Sequence, residues 1–340
     1  MPSLEGKHTD MSQVVIENPI INSPYDEPSR HFRFSDEGIT NEIVDGRRAS
    51  SYFIPIAKPK KKSKQQLVLD TEWVQDRIEE NKEINRIRDR VAQWRRGGYI
   101  GVTPVTARLI AYWTDPGRDR KLFFCQNEAL ETAIYISEVA KKYGDAWIEN
   151  ELHAANDTSN PGLPRVAFKM ATGSGKTVVM AMLVAWQTLN KQANSPDVRF
   201  SDTFLIVTPG ITIRDRLRVL LPNDPQNYYR QRDIVPAQLQ EQLGQAKILI
   251  TNYHAFQLRE TVDAGKITKS ILAEGRPSPF VETPGQMVRR VCRELGTKKQ
   301  IVVINDEAHH CYRRKPDGED EALTGDWHFT QAGFLPLFAD

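Results

Sequence analysis

A glycine-rich segment, residues 170–177 with the sequence MATGSGKT, constrains the fold of this chain more than any other feature. It follows a short apolar run and precedes a stretch typical of a helix, which is the context that a phosphate-binding loop requires. Gly173 and Gly175 allow the backbone to bend so that its N–H groups point at phosphate oxygens. A chance glycine-rich turn before a helix is the alternative, but the intact Gly-x-Gly-Lys-Thr sequence favours phosphate binding.

The side chains of this segment predict a site for ATP and Mg²⁺. Lys176 can reach the β and γ phosphates, and the Thr177 hydroxyl can bind Mg²⁺. Thr172 and Ser174 complete the predicted nucleotide-binding residues, together with the two glycines. The usual pattern begins with glycine, where this chain has Met170.

Four apolar runs predict the strands of a sheet. They are residues 166–168, 204–207, 248–250 and 301–304. The runs are nearly continuous rather than alternating, which is typical of strands buried on both faces. Helical stretches at 177–190 and 211–220 separate the first three runs. The pattern predicts an α/β fold with a parallel sheet and helices on both faces.

The last apolar run carries two carboxylates to the edge of the sheet where ligands bind in open α/β folds. We expect Asp306 to hold Mg²⁺, and Glu307 to orient and deprotonate the attacking water. An Asp-Glu pair alone is more often a solvated strand end. Together with residues 170–177 the pair indicates nucleotide hydrolysis, which needs both halves.

The composition excludes several classes of protein. Hydrophobic residues make up 39% of the chain and charged residues 26%, which is ordinary for a globular protein and excludes a wholly disordered or fibrous chain. No apolar run approaches the ~20 residues of a membrane span. Three scattered cysteines favour a reducing, cytoplasmic compartment over a disulfide framework. A zinc site at residues 309–311 is not favoured, because adjacent residues rarely converge on one metal.

The rest of the chain divides into regions that differ in composition and in the pattern of apolar residues. Residues 1–69 predict an extended, partly disordered arm, in which the lysine-rich residues 58–64 are either a solvated linker or a phosphate contact. Residues 70–160 predict a helical region. Its first helix is expected to begin at Asp70 or Thr71 and to end with Arg95 and Arg96 before the glycines at 97–98, and its second is expected from near Asn127 to Gly144. A polar linker at 156–164 predicts a domain boundary near 160, and a basic helix is expected near 287–295.

The two strongest motifs carry a resemblance. ATGSGKT at 171–177 and DEAH at 306–309, which His309 completes, resemble motifs I and II of superfamily-two DEAD/DEAH-type helicases. The resemblance implies that residues 161–326 form a RecA-like ATP-binding lobe. Residues 123–129, FFCQNEA, resemble the segment that senses adenine upstream of motif I. Gln126 would then read adenine, since an amide can donate and accept at once, although a surface amide is the alternative.

Two further segments, 207–210 and 250–253, resemble the motifs that hold the phosphate backbone of one nucleic-acid strand. The residues that the resemblance implies for DNA contact are Thr208, Pro209, Gly210, Arg214, Thr251 and Asn252. Hydroxyls, backbone N–H groups and arginines suit phosphate contacts. Arg214 also fits a solvated helix face, which is the alternative.

A longer stretch is similar to the restriction subunit of type III restriction–modification enzymes and their close restriction-endonuclease relatives. Its segments include WRRGGY at 94–99, FKMATGSGKTVVMAMLVAWQTLN at 168–190 and FLIVTPGITIRDRL at 204–217. The resemblance implies a bacterial or archaeal enzyme that moves on DNA at the expense of ATP. It also implies a partner methyltransferase subunit that reads the DNA sequence, and a separate nuclease domain.

The sequence after the second motif carries no further motif of that family, and residues 327–340 form an atypical, aromatic-rich tail. We therefore expect that the second RecA-like lobe and the nuclease are absent from this chain, as in a truncated product, a gene fragment or half of a two-chain motor. Two other functions stay open. One is a general superfamily-two DNA or RNA helicase, and the other is a nucleotide-binding protein without turnover.

Overall fold

The computed structural model describes residues 18–35, 38–54, 77–159, 165–259, 282–298 and 300–306. The chain divides into two compact units, residues 1–93 and 94–340. The predicted tail at 327–340 and the linker residues 160–164, where the predicted boundary falls, lie outside the described residues.

The first unit contains two antiparallel strand pairs. Strands β1 (Arg30–Ser35) and β2 (Gly38–Asp45) form a hairpin, and β3 (Ser51–Ile54) pairs with β4 (Arg77–Glu80). Most of these strands belong to the stretch that the sequence predicts as an extended arm. The lysine-rich residues 58–64 lie outside the described residues.

Helix α1 (Lys82–Arg96) begins later than predicted. The expected start at Asp70 or Thr71 lies outside the described residues, and residues 77–80 form β4 instead of helix. A strand forms here instead of a helix because its backbone pairs with β3. The Asn81 N–H continues the pairing by donating to the Ser50 carbonyl at 2.8 Å. The predicted end is confirmed, since Gly98 follows the helix with φ 80°.

Four helices open the second unit. They are α2 (Pro104–Trp113), α3 (Phe124–Ile134), α4 (Ala146–Ser159) and α5 (Lys176–Ala193). Helix α3 continues through a π-helical turn, Tyr135–Val139, and a 3-10 turn, Ala140–Tyr143, and ends at Gly144 with φ 83°. The second predicted helix is therefore confirmed, with a π turn that the sequence did not indicate.

The remaining elements build a parallel sheet flanked by short helices. In chain order they are β5 (Thr203–Thr208), α6 (Ile211–Arg216), α7 (Tyr228–Gln231), α8 (Gln240–Leu243), β6 (Lys247–Asn252), α9 (Pro284–Val291) and β7 (Val302–Asn305). The strand order is β6-β5-β7, and both pairings are parallel. Three of the four predicted strands are confirmed, and the α/β fold agrees with a RecA-like lobe.

The prediction of a strand at residues 166–168 is wrong. Residues 165–171 form no ladder with any described strand, and Phe168, expected to be buried on both faces, is 39% exposed. At the start of this segment, the Asn156 side chain bonds to backbone groups in place of a neighbouring strand. Asn156 accepts from the Arg165 N–H at 2.8 Å and donates to the Arg165 carbonyl at 3.0 Å. An apolar run without a paired neighbour has no ladder to stabilise it as a strand.

A buried polar network lies beside α5 in the core. The carboxyl group of Glu138, in the π turn, accepts from the Thr103 N–H, the Thr106 hydroxyl and the Trp186 indole N–H at 2.7–2.8 Å. Asn190 donates to the same Thr106 hydroxyl at 3.0 Å. The network joins α2, the π turn and α5. Its buried carboxyl group is satisfied by donors alone, as a buried polar group must be.

Candidate functional site

The glycine-rich segment forms a tight turn that leads directly into α5. Gly173 and Gly175 adopt left-handed φ angles of 81° and 84°, which favour glycine. The Ser174 hydroxyl and N–H both point back to the Ala171 carbonyl, at 2.6 and 3.3 Å. The two left-handed residues therefore produce the bend that the sequence predicts.

Helix α5 begins with the two residues predicted to meet the phosphates and the metal. The N–H groups of Val178 and Val179 already bond to the Gly175 carbonyl, at 2.8 and 3.3 Å, whereas those of the first two helical residues precede the helical ladder. Lys176 and Thr177 are half-buried. Among the described residues, none bonds to the Lys176 ammonium group. The helix start thus offers N–H groups, a dipole and a cation to an anion.

The side chain of Gln126 lies against this loop on the side of the protein interior. Its side chain is buried, with 5% exposed, and its Nε2 donates to the Ser174 carbonyl at 2.9 Å. Its Oε1 accepts from the Phe123 N–H at 3.0 Å. Each end of the amide is therefore bonded once to the protein, and a second N–H and a second lone pair remain for a base, so the predicted reading of adenine stays a prediction.

Contacts at the other end of α5 fix the direction of the helix. Gln187 accepts from the Ser201 N–H, Gln192 donates to Asp202, and Lys191 donates to Gln300. These partners lie just before β5 and β7, at the amino ends of the strands. The first turn of α5, with the phosphate loop, therefore points toward the carboxyl edge of the sheet, where open α/β sheets bind ligands.

The carboxyl edge brings the remaining predicted segments together. Thr208 and Asn252, the last residues of β5 and β6, are direct partners in the sheet. Asp306 follows β7 and donates its N–H to the Val207 carbonyl at 3.0 Å, with its side chain half-buried. Glu307 and His309 lie outside the described residues, so their predicted roles stay predictions.

The structure uses two of the predicted DNA-binding side chains internally. Thr208 is 1% exposed and donates its hydroxyl to the Gly210 carbonyl at 3.0 Å, so it stabilises the turn after β5 from inside the protein. Asn252 accepts from the Ala255 N–H at 3.0 Å and caps a 3-10 turn. Both side chains therefore help to shape the loops, and their predicted contacts with DNA stay predictions.

The other residues predicted to contact DNA lie at the surface of the same edge. Pro209, Gly210 and Thr251 are half-buried. The Arg214 side chain is 41% exposed and pairs with Asp215 at 2.9 Å. An exposed ion pair of this kind is weak, so the guanidinium group can exchange it for a phosphate.

An ion pair that the sequence analysis missed holds the loop after β6. Arg290 pairs with Glu282 through two bonds of 2.9 Å and donates to the Ala255 and Gln257 carbonyls at 3.0 and 3.1 Å. The Glu282 side chain is 8% exposed. Arg290 holds the pKa of the Glu282 carboxyl below its usual value, chiefly by hydrogen bonding. The basic helix was predicted, but a single sequence does not show which carboxylate it meets.

The available oxygen ligands fit Mg²⁺ better than a transition metal. Thr177 offers a hydroxyl and Asp306 a carboxylate, both half-buried and both hard ligands. Among the described residues, no three His, Cys, Asp or Glu side chains converge as a metal cluster. Mg²⁺ needs only one or two protein ligands when phosphates and water supply the rest.

None of the helices in the described part of the chain combines the length and the hydropathy that a bilayer crossing requires.

Comparison with known proteins identifies the family. Residues 103–326, about two thirds of the chain, match the family model described as type III restriction enzyme, res subunit. The comparison with curated proteins found no match, and neither did the comparison with solved structures. The chain therefore belongs to the type III restriction enzyme res subunit family, and it carries a superfamily-two helicase-type ATP-binding motor domain.

Proposed function

We propose that this member of the res subunit family binds ATP at residues 170–177 and uses its hydrolysis to drive movement on DNA. The observation that carries the proposal is the phosphate loop at the start of α5. Two left-handed glycines lead there into a helix whose first N–H groups and half-buried Lys176 are available to an anion. The motor domain of the family agrees with this use of ATP.

The chemistry follows from the residues in and around the loop. Lys176 binds the β and γ phosphates, while the loop amides orient them. Thr177 and Asp306 would hold Mg²⁺, which when bound neutralises charge on the phosphoryl oxygens. Glu307 accepts the proton of the attacking water, and His309 completes the DEAH segment. Thr172 and Ser174 shape the loop.

DNA would lie across the carboxyl edge of the sheet. Pro209, Gly210 and Thr251 offer backbone groups to one strand, and Arg214 offers a charge. Thr208 and Asn252 keep the two loops in shape from inside. This arrangement reads phosphates rather than bases, so we assign recognition of the DNA sequence to a partner methyltransferase subunit. The family description, which names a subunit, supports a partner.

The test is steady-state ATP hydrolysis by the purified chain with duplex DNA, with single-stranded RNA, and without nucleic acid. We expect DNA to stimulate turnover more than RNA, and Lys176→Ala to abolish turnover and weaken Mg·ATP binding about tenfold to a hundredfold. Lys169→Ala is the matched control, since Lys169 is exposed and lies just before the loop.

Glu307→Gln separates binding from hydrolysis. An amide cannot accept the proton, so Mg·ATP should still bind while turnover is lost. Wild-type affinity for ATP in Lys176→Ala would refute the site, and preferential stimulation by RNA would favour a general helicase. Binding of ATP by the wild type without any turnover would indicate either half of a two-chain motor or a nucleotide-binding protein.

A further inference from the structure

We propose that a basic surface at the phosphate-loop end of α5, made of Arg120, Lys121, Arg230 and Arg232, binds the phosphate backbone of duplex DNA. The first two residues precede α3, and the other two lie at the end of α7. This basic surface is separate from the segments at 207–210 and 250–253, where the family resemblance implies contacts with nucleic acid. It gives the motor domain a second contact with the duplex.

A buried arginine joins the two segments that carry these cations. Arg118 is 7% exposed, and its guanidinium group donates to the Arg120 carbonyl at 3.3 Å and to the Asp233 carbonyl at 2.6 Å. Tyr112, near the end of α2, donates its hydroxyl to the Asp233 carboxylate, which lies 3.8 Å from Arg118. These contacts fix the backbone before α3 against the backbone after α7, so both pairs of cations belong to one surface.

The basic surface carries charge that the protein does not neutralise. Residues 108–121 and 228–233 together contain six arginines and lysines and three aspartates, a net charge of +3, whereas the whole chain carries +2. The four cations of the basic surface are exposed, and none of them forms an ion pair with another residue that the structure describes. A concentration of unpaired cations on a nearly neutral chain attracts a polyanion.

The backbone within the basic surface is strained. Asp233 has a left-handed φ angle of 54°, which is uncommon in residues other than glycine. Arg118 binds its carbonyl and Tyr112 its carboxylate, so side chains from the preceding segment hold this conformation. Strain of this kind persists where contacts over-determine it, and it is concentrated at binding sites.

The basic surface lies on the same side of the sheet as the proposed DNA path. Residues 118–121 lead into α3, whose Gln126 bonds to the Ser174 carbonyl of the phosphate loop at 2.9 Å. The start of α2 lies at the opposite end of α5, because Thr106 accepts there from Trp186 and Asn190 at 3.1 and 3.0 Å. A duplex at the carboxyl edge of the sheet can therefore extend onto the basic surface.

The chemistry of the surface favours duplex DNA over a single strand. Arginine and lysine contact phosphates without reading the sequence. Duplex DNA presents one charge per about 1.7 Å of its axis, about twice the charge density of a single strand. A surface that offers charge alone therefore gains more from the duplex.

The experiment measures the affinity of the purified chain for a mixed-sequence duplex DNA over a range of salt concentrations, without nucleotide. Arg120→Gln/Lys121→Gln removes one pair of cations, and Arg230→Gln/Arg232→Gln removes the other. Each lost phosphate contact makes the slope of log affinity against log salt less steep by about 0.9, so each double variant should lose about 1.8 from the slope. The ratio of wild-type to variant affinity should then be about twelvefold larger at ~50 mM salt than at ~200 mM. Wild-type slopes in both variants would overturn the proposal.

Lys141→Gln/Lys142→Gln is the matched control. These adjacent lysines are exposed as well, and they lie at the other end of the helical run that α3 begins. The control removes the same net charge, so it should keep the wild-type slope if the position of the cations matters. An equal loss of slope in the control would mean that net charge alone attracts the DNA, and would overturn the proposal.

Further readouts separate this proposal from the proposed function. Both basic-surface variants should bind Mg·ATP as the wild type does, and a loss of ATP affinity in Arg120→Gln/Lys121→Gln would assign these cations to the nucleotide and overturn the proposal. If Arg214→Gln keeps wild-type affinity for DNA while the basic-surface variants lose it, the proposed path along the carboxyl edge fails and the basic surface stands. A wild type that binds no duplex, or a larger loss of affinity for single-stranded DNA than for the duplex, would overturn the proposal.

Discussion

The two glycines of the phosphate loop have the same backbone conformation but different surroundings. Both have left-handed φ angles, so any other residue introduces strain at either position. Only Gly175 lies against a neighbour, because an added Cβ would collide with Gln126 Nε2. The pair therefore separates backbone strain from the loss of a side-chain contact.

We expect Gly173→Ala to cost about 1 kcal/mol of unfolding free energy, from strain alone. Gly175→Ala should cost the same strain plus the displaced amide, about 2–3 kcal/mol in total, and should weaken Mg·ATP binding more than Gly173→Ala. Urea unfolding and a binding titration of both variants check this. Equal effects of the two substitutions would show that contact with Gln126 is unimportant.

At the residue scale, the sequence predicted the bend of the phosphate loop, whereas it did not show the bonding partners of individual polar atoms. The bend at Gly173 and Gly175 follows from residue type alone, since few other residues tolerate these φ angles. The contacts of Gln126 and Thr208 with ligands stay predictions, but the sequence did not show that each also bonds to backbone groups of its own fold. Those partners are distant loops or turns, which a single sequence does not pair.

At the scale of elements, the Arg290–Glu282 pair fastens the loop after β6 to α9. Arg290 donates to two carbonyls of that loop while pairing with Glu282, and the Glu282 carboxylate accepts from the Arg259 N–H at 3.3 Å. The loop begins at the proposed DNA-contacting end of β6. The ion pair therefore stabilises the shape of one segment that we propose to contact DNA.

The pair predicts a pH-dependent stability. Because the pKa of Glu282 is lowered in the folded protein, its contribution is fully present above about pH 4.5 and is lost as the pH falls through the folded value. Glu282→Gln should lower the unfolding free energy by about 2 kcal/mol at pH 7, and the difference should shrink below pH 4.5.

Asp215→Asn is the control for that substitution, because the Asp215 side chain is 57% exposed and its pair with Arg214 should contribute little. Denaturant unfolding at pH 7 and pH 3.5 measures both variants. A deficit in Glu282→Gln that is the same at both pH values would show that the ionised pair is not its source.

The elements themselves were predicted where local pattern and pairing agree. The apolar runs at 204–207, 248–250 and 301–304 form strands because each pairs with a parallel neighbour. Residues 166–168 have the same pattern, but Asn156 bonds to the backbone at Arg165 and no described strand pairs with them. Residues 77–80 fit a helical pattern, yet pairing with β3 makes them a strand. Pairing is long-range, so local sequence does not fix it.

At the scale of the second unit, α5 connects the proposed nucleotide site to the core. Its first turn carries Lys176, and most of its middle is buried, with Trp186 donating to Glu138 at 2.8 Å. Its last turns contact the residues that precede β5 and β7. A ligand at one end of this helix therefore stabilises an element that α2, α3, α7 and α8 all contact.

We therefore expect Mg·ATP at about 100 times its dissociation constant to stabilise the protein by about 2.7 kcal/mol and to raise its Tm.

Glu138→Gln places an amide N–H group against donors in the buried network and should cost about 2 kcal/mol of unfolding free energy, or about 4–8 °C in Tm. It should keep the shift produced by ATP, whereas Lys176→Ala should keep the Tm and, at the same ATP concentration, reduce the stabilisation to about 0.4–1.4 kcal/mol. Glu149→Gln, on α4 and 28% exposed, is the matched control and should change neither. Thermal unfolding with and without Mg·ATP measures all four proteins, and a Glu138→Gln variant that also loses the shift would place Glu138 in the binding site rather than in the core alone.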